Sequence, residues 1–438
     1  MARLVIEGGN PLMGAVRLGG AKNAGFKLMI AASLGEGESR ILNLSYISDV
    51  ENTQAILKKI GVKVKKCGER TVFIEANGLK MSQLPKLEGK KTRAATLFAA
   101  MLLARSGKAI IPLPGGCVLG TRPVNRHLEA LKSLGAKVSY QGENIHITGK
   151  NLKGTTFRFD KKTHTGTEAM IIVAAKAKGR TVIENAGQEP EIDDLIEFLN
   201  KMGGEIKRGP GEEIIINGVK KLGGAIHQVM PDRNEAISYA VAALATKGDI
   251  VLENAKKSHL KAFLEKLDEI GAKFETNKFG MRFWYEKQLK ATNIETQPAP
   301  GFMTDWQPLW TILMTQAKGI SQVIERVHNN RFQYCHELEK MGAKIKLFNP
   351  EVRNLKKYYE FDNPETDKNL HAAKITGPTP LKGANLKVTD LRAGATLVMA
   401  ALIAKGKSTL ENISHIDRGY EKLDEKLRQL GANIKRVK

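Results

Sequence analysis

Apolar positions along the chain fall into six runs that are apolar almost all round, at residues 22–34, 92–105, 166–177, 233–246, 305–316 and 391–404. A helix with no polar face is a buried helix, so these runs predict six core helices. Each is followed by a turn and a short β-branched stretch, then by a second run with apolar residues on one face only. Each second run ends in a glycine followed by a strand start, at Gly61, Gly135, Gly203, Gly271, Gly342 and Gly431. A glycine in that position suits a helix C-terminus. The steps between these glycines are 74, 68, 68, 71 and 89 residues. The pattern therefore predicts a repeating unit of helix, strand, turn, amphipathic helix, strand, strand, and self-similarity at a steady period is the mark of a repeat architecture. Six copies of about 70 residues suggest two domains of three copies each. Ordinary α/β alternation would not keep six registers in step. The longest step carries extra residues at 349–371, charged and including Tyr358 and Tyr359, and predicts an inserted hairpin or loop on the surface.

Length and composition narrow the class. The 438 residues exceed one ordinary domain, and 42% apolar with 26% charged residues is a globular balance. No apolar run reaches the roughly 18 residues of a membrane span. The first nine residues lack signal-peptide anatomy, and Cys67, Cys117 and Cys335 are an odd, scattered set that reads as reduced thiols. Both observations point to the cytoplasm. No Cys or His pairing has zinc-ligand spacing, so no metal is expected. The net charge of +23 attracts anions. The lysines are dispersed, however, with no basic block and few aromatics between them, which argues against a nucleic-acid role.

Chemistry gathers at the starts of the buried helices, which are polar in a consistent way. They read Lys22-Asn23, Thr92-Arg93, Thr165-Gly166, Asp232-Arg233, Thr304-Asp305 and Asp390-Leu391-Arg392. Capping explains the acids and hydroxyls. The basic residues are better explained by an anion, since free amides and the helix dipole add to their charge. This suggests a phosphorylated substrate. The stretch 112–127 is rich in Gly and Pro and sets Cys117 close to Arg122. A loop carrying a thiol beside fixed positive charge is a candidate reactive site, because the cation favours the thiolate. The plainer alternative is a surface loop with a chance cysteine.

Six motifs, in order and over nearly the whole chain, resemble the UDP-N-acetylglucosamine enolpyruvyl transferases (1-carboxyvinyltransferases). They are Gly19-Gly20-Ala21-Lys22-Asn23-Ala24, the Pro114-Gly115-Gly116-Cys117 loop with Arg122-Pro123-Val124, and Pro231-Asp232-Arg233. The others are Pro300-Gly301-Phe302 with Thr304-Asp305, Thr389-Asp390-Leu391-Arg392-Ala393, and His415-Ile416-Asp417-Arg418-Gly419-Tyr420-Glu421. The resemblance implies a two-domain inside-out α/β barrel, here from six βαβαββ-type units. Its domains would be 22–231, carrying Cys117, and 1–21 with 232–438, carrying Asp305 and Arg418, with the active site in the cleft between. It implies transfer of the enolpyruvyl group of phosphoenolpyruvate to the 3′-hydroxyl of UDP-N-acetylglucosamine, without metal or organic cofactor.

Residue by residue, the resemblance makes Cys117, Asp305 and Lys22 catalytic, as proton donor, proposed base and phosphoenolpyruvate ligand. Lys22, Asn23, Arg122, Arg392 and Arg418 would bind phosphoenolpyruvate, whose phosphate and carboxylate suit bidentate arginines. Arg93, Arg122, Pro123, Val124, Asn125, Arg126, Lys162, Thr163, His164, Thr165, Asp305 and Val327 would bind the nucleotide sugar. Asp305 has a plainer reading as an N-cap. Four departures stand out. Asn125 and Arg126 replace the family's usual Asp-Leu, His164-Thr165-Gly166 its Ser-Val-Gly, Gln188 its Arg before Glu-Pro-Glu, and Met303 a common Pro. These changes fall mainly on the nucleotide side, so a UDP-sugar is expected as acceptor with altered discrimination among bases. The alternatives are the sister transferase acting on shikimate 3-phosphate and a basic, non-catalytic relative that binds nucleic acid.

Overall fold

The computed structural model describes residues 2–92, 94–113 and 124–437. The repeat is one topology used again and again. A short strand precedes a buried helix, the next strand lies parallel to the first, and an amphipathic helix leads into two strands that complete the sheet. In the first copy the helix Lys22–Ala32 leads into strand Glu38–Leu42, then helix Ser48–Lys59, then the hairpin of Lys63–Lys66 and Val72–Glu75. Val72–Glu75 pairs antiparallel with Glu38–Leu42, and Ile226–Gln228 pairs parallel on its other side. The fourth copy repeats this order with Met13–Arg17, Arg233–Ala245, Asp249–Glu253, Lys261–Ile270, Lys273–Asn277 and Gly280–Trp284. The second copy keeps three strands, its opening strand reduced to one bridge between Gln83 and Ile110.

Two units result, one built from the chain between Gly20 and Met230, the other from the chain before Gly20 and after Met230. Met13–Arg17 precedes helix Lys22–Ala32 in sequence yet pairs with Asp249–Glu253, and Ile226–Gln228 precedes Arg233–Ala245 yet pairs with Glu38–Leu42. The chain thus leaves each unit directly after adding a strand to it.

The six glycines that end the amphipathic helices all have positive φ, from 76° at Gly271 to 100° at Gly61. Only glycine adopts that conformation without strain, which is why the signature recurs. The six core helices run Lys22–Ala32, Ala95–Ser106, His164–Ala174, Arg233–Ala245, Gln307–Met314 and Leu391–Ile403. All 13 residues of Arg233–Ala245 are buried. Burial of each large apolar side chain contributes roughly 1.5–3 kcal/mol, so these helices carry the stability of their units. Each unit has its own core. Phe263, Phe302, Trp306 and Trp310 form an edge-to-face aromatic cluster in one, and Phe98, Phe159 and Phe198 belong to the other.

The segment 349–371 is the long loop that joins the antiparallel strands Lys344–Phe348 and Ala372–Gly377. It holds the short helix Leu355–Tyr358, and Tyr359, Phe361 and His371 are buried together, with ring centroids about 5 Å apart. Its aromatics have burial to gain, which the charged sequence around them concealed. Among the described residues no helix is long and apolar enough to cross a membrane.

Candidate active site

In the unit Gly20–Met230, Lys22 is the first residue of its helix and forms an ion pair with Asp49 at 3.0 Å. Asn23 follows it, half-buried. No side chain caps this helix or Ala95–Ser106. His164–Ala174 is capped by Thr163, whose hydroxyl accepts the Gly166 amide at 3.2 Å. The ring of Phe26 lies 5.5 Å from the Lys22 ammonium and 5.9 Å from that of Lys27. Lys27 in turn meets Glu168 and His164. Thr165 is joined to His127 on the next helix, 2.9 Å from hydroxyl to Nε2. Burial pulls the His127 imidazole down to about 4; Glu168 opposes this and Arg126 adds to it.

Val124 immediately precedes helix Asn125–Ser133, and Asn125 is exposed at its start. Arg126 makes a forked ion pair with Asp160, 2.8 Å from Nε to Oδ1, and Lys162 is paired with Glu212. Arg126 and Lys162 thus each meet a carboxylate far away in sequence, 34 and 50 residues on. Arg93, Cys117, Arg122 and Pro123 lie outside the described residues.

In the other unit the starts of the three core helices are tied together. Asp232 accepts the amides of Asn234 and Glu235, and Asp390 those of Arg392 and Ala393. The Trp306 indole donates to Asn234 at 3.0 Å, and the Arg233 guanidinium lies 5.6 Å from the Trp306 ring. Asp305 sits two residues before helix Gln307–Met314 and does not cap it. Its carboxylate instead receives Arg331 Nη2 at 2.5 Å and Arg392 Nη2 at 2.9 Å. The N-cap reading fails because both oxygens are turned to guanidinium groups. Asp305 and Arg392 are thus brought together. So the basic helix starts are answered in part by the protein's own groups.

Arg418 follows the short helix Ser414–Asp417 and is half-buried. Val327 donates its amide to Glu325 Oε1 at 2.9 Å, and Glu325 also accepts from Thr304 and Thr296, which binds the loop of Val327 to the loop of Asp305. Burial raises the Glu325 carboxyl above its usual range, against the pull of Arg331 and its hydrogen bonds. Sequence reasoning missed Arg331, Lys27, Glu168 and Glu325. Arg331 stands in no motif, and the other three sit inside apolar or ordinary stretches, with nothing local to mark them.

The EPSP synthase (3-phosphoshikimate 1-carboxyvinyltransferase) family model matches residues 6–427. A protein of Halothermothrix orenii named UDP-N-acetylglucosamine 1-carboxyvinyltransferase is 39% identical over 100% of both chains. One of the same name from Koribacter versatilis is 40% identical, covering 100% of this chain and 97% of its own. Among solved structures, the enolpyruvyl transferase NikO from Streptomyces tendae matches with a TM-score of 0.85 at 22% identity, over 100% of this chain and 99% of that one. EPSP synthase from Acinetobacter baumannii matches with 0.75 at 20%, over 100% of both. These structures share the two-domain α/β fold. The chain belongs to the UDP-N-acetylglucosamine 1-carboxyvinyltransferase family, within the larger group that the EPSP synthase model describes.

Proposed function

We propose that this protein transfers the enolpyruvyl group of phosphoenolpyruvate to the 3′-hydroxyl of UDP-N-acetylglucosamine and releases phosphate, the first committed step of peptidoglycan synthesis. The observation that carries this reading is the full-length identity of 39–40% to relatives bearing that enzyme's name. A cytoplasmic location and a role in cell-wall growth follow from the same reading.

The chemistry needs cations for the phosphate and carboxylate of the donor, a proton for its methylene carbon, and a group to take the hydroxyl proton. Lys22, Arg122, Arg392 and Arg418 supply the cations. Cys117 delivers the proton to the methylene carbon as the 3′-oxygen adds to its neighbour. Asp305 orients the hydroxyl and accepts its proton. Loss of phosphate and of a proton from the methyl carbon then restores the double bond. Arg331 and Arg392 hold the Asp305 carboxylate in one orientation, which a positioned base requires.

Phosphate release is measured with phosphoenolpyruvate and either UDP-N-acetylglucosamine or shikimate 3-phosphate as acceptor, in the wild type and in Cys117→Ser. Release with the nucleotide sugar only, lost by at least about 100-fold in Cys117→Ser, is the expected result. Turnover of shikimate 3-phosphate with no nucleotide sugar consumed overturns the reading.

A further inference from the structure

One buried charge cluster has no part in the chemistry above. Lys27 is 2% exposed and Glu168 0%, on two different core helices of the unit Gly20–Met230. A buried ion pair is seldom more stable than apolar residues of the same size, so stability does not account for it. Lys27 Nζ lies 2.7 Å from Glu168 Oε1, 2.6 Å from Oε2 and 3.0 Å from His164 Nε2. An ammonium has three N–H groups and no acceptor. Lys27 hydrogen-bonds Oε1 and meets Nε2, while Oε2 is held by charge alone and accepts no hydrogen bond.

The arrangement restricts the imidazole. When the ring is neutral, an Nε2 that accepts from Lys27 at 3.0 Å, rather than donating to Glu168 Oε1 at 3.1 Å, leaves the ring's single proton on Nδ1. When the ring is protonated, Nε2–H turns to Glu168 Oε1 at 3.1 Å, and Nδ1 keeps its proton. In both of these states Nδ1 is a donor. Burial pulls the His164 imidazole down and Lys27 adds to this, but Glu168 and Glu189 outweigh them and leave it above its usual value.

We propose that Lys27 and Glu168 are positioning residues that fix His164 as a permanent Nδ1–H donor for a diphosphate oxygen of the nucleotide sugar. This rests on the acceptor reading given above. His164 opens helix His164–Ala174, and 19% of its side chain is exposed, so part of the ring is within a ligand's reach. The dipole of that helix favours an anion at the same end. A ring with the opposite tautomer would present a lone pair to the phosphate and repel it.

The test joins nitrogen-15 NMR of the full-length protein, labelled at histidine, with steady-state kinetics. Neutral wild-type His164 should carry its proton on Nδ1, and Lys27→Met should move it to Nε2, now free to donate to Glu168. Lys27→Met should raise KM for UDP-N-acetylglucosamine about tenfold, the loss of one hydrogen bond to a charged group, with kcat and KM for phosphoenolpyruvate within about twofold. Lys27→Arg, which keeps the donor, should restore most of the affinity. If Lys27→Met does not fold, the charge-free double variant Lys27→Met with Glu168→Leu carries the test, with the same rise in KM expected. An Nε2–H tautomer in the wild type, or an unchanged KM in a folded variant that turns over the nucleotide sugar, overturns the proposal. A wild type that turns over no nucleotide sugar refutes the acceptor reading instead.

Discussion

The two units start their core helices from the same repeat and finish them differently. After Met230, two of three helix starts are capped by aspartates, and Asp305 locks Arg331 and Arg392 into one ionic group. Between Gly20 and Met230 a single threonine, Thr163, serves as a side-chain cap, and charge is held deeper, by Lys27 and Glu168. The strands, glycines and buried helix faces that define the repeat are shared. The helix starts are where the copies diverge, because nothing in the packing of the helix bodies dictates what stands there.

The sharpest way to break this comparison is to remove one group from each end. Asp305→Ala leaves two guanidinium groups, each about 4% exposed, side by side without their carboxylate. That should cost about 3 kcal/mol of stability. Thr163→Ala removes one cap and should cost about 1 kcal/mol. Equal costs in urea denaturation would show that the two ends are built alike after all.

A smaller effect separates the units by pH. His127, in the unit Gly20–Met230, is held to about 4 by burial, with Arg126 helping and Glu168 opposing. Its ordinary value is about 6.5, so between those values the unfolded chain binds a proton that the folded one refuses. The contribution is whole above about pH 6.5 and is lost as the pH falls towards 4. At pH 5 the loss is about 2 kcal/mol, and it should be absent from His127→Gln, so that it appears as the difference between the two pH profiles. The same slope in both proteins would show that His127 titrates normally.

The smallest effect asks whether the units are alike where they should be. Gly203 and Gly431 end amphipathic helices in different units, both with φ of 98°, and a Cβ on either meets nothing nearer than 3.8 Å. Alanine at each should cost about 1 kcal/mol, from backbone strain alone. A gap of more than about 0.5 kcal/mol, beyond the usual scatter of additive effects, would mean that the copies are not equivalent even at this end.

What the sequence reveals follows the same division. Apolar helices and positive-φ glycines are local signals, so the repeat and its order can be read directly. The helix limits shift by up to three residues, and Gln307–Met314 starts two residues late, with Asp305 drawn to its arginines rather than to the helix. Lys22, Asp305, Arg392 and Arg418 stand out as candidates through their motifs. The pairings of Arg126 with Asp160, Lys162 with Glu212 and Asp305 with Arg331 do not, because they join residues 26 to 50 positions apart with no local trace. Lys27 was hidden for another reason: a lysine in an apolar run passes for one reaching out to solvent, and only its partner on a second helix shows otherwise.

The strand Arg3–Glu7 has a consequence for synthesis on the ribosome. It lies between Lys407–Glu411 and Asn433–Val437, antiparallel to both, so its neighbours in the sheet are made some 400 residues after it. At about 5–20 residues per second that is a wait of roughly 20–80 seconds. Meanwhile the chain from Gly20 to Met230 emerges with every strand of its three sheets. A nascent chain therefore carries Leu4 and Ile6 unpaired while the unit Gly20–Met230 is already able to fold, and they gain their sheet neighbours only once residues 407–437 are made. Any tag or fusion placed ahead of Arg3–Glu7 must leave that strand free to enter the middle of a sheet completed only after Asn433–Val437 is made.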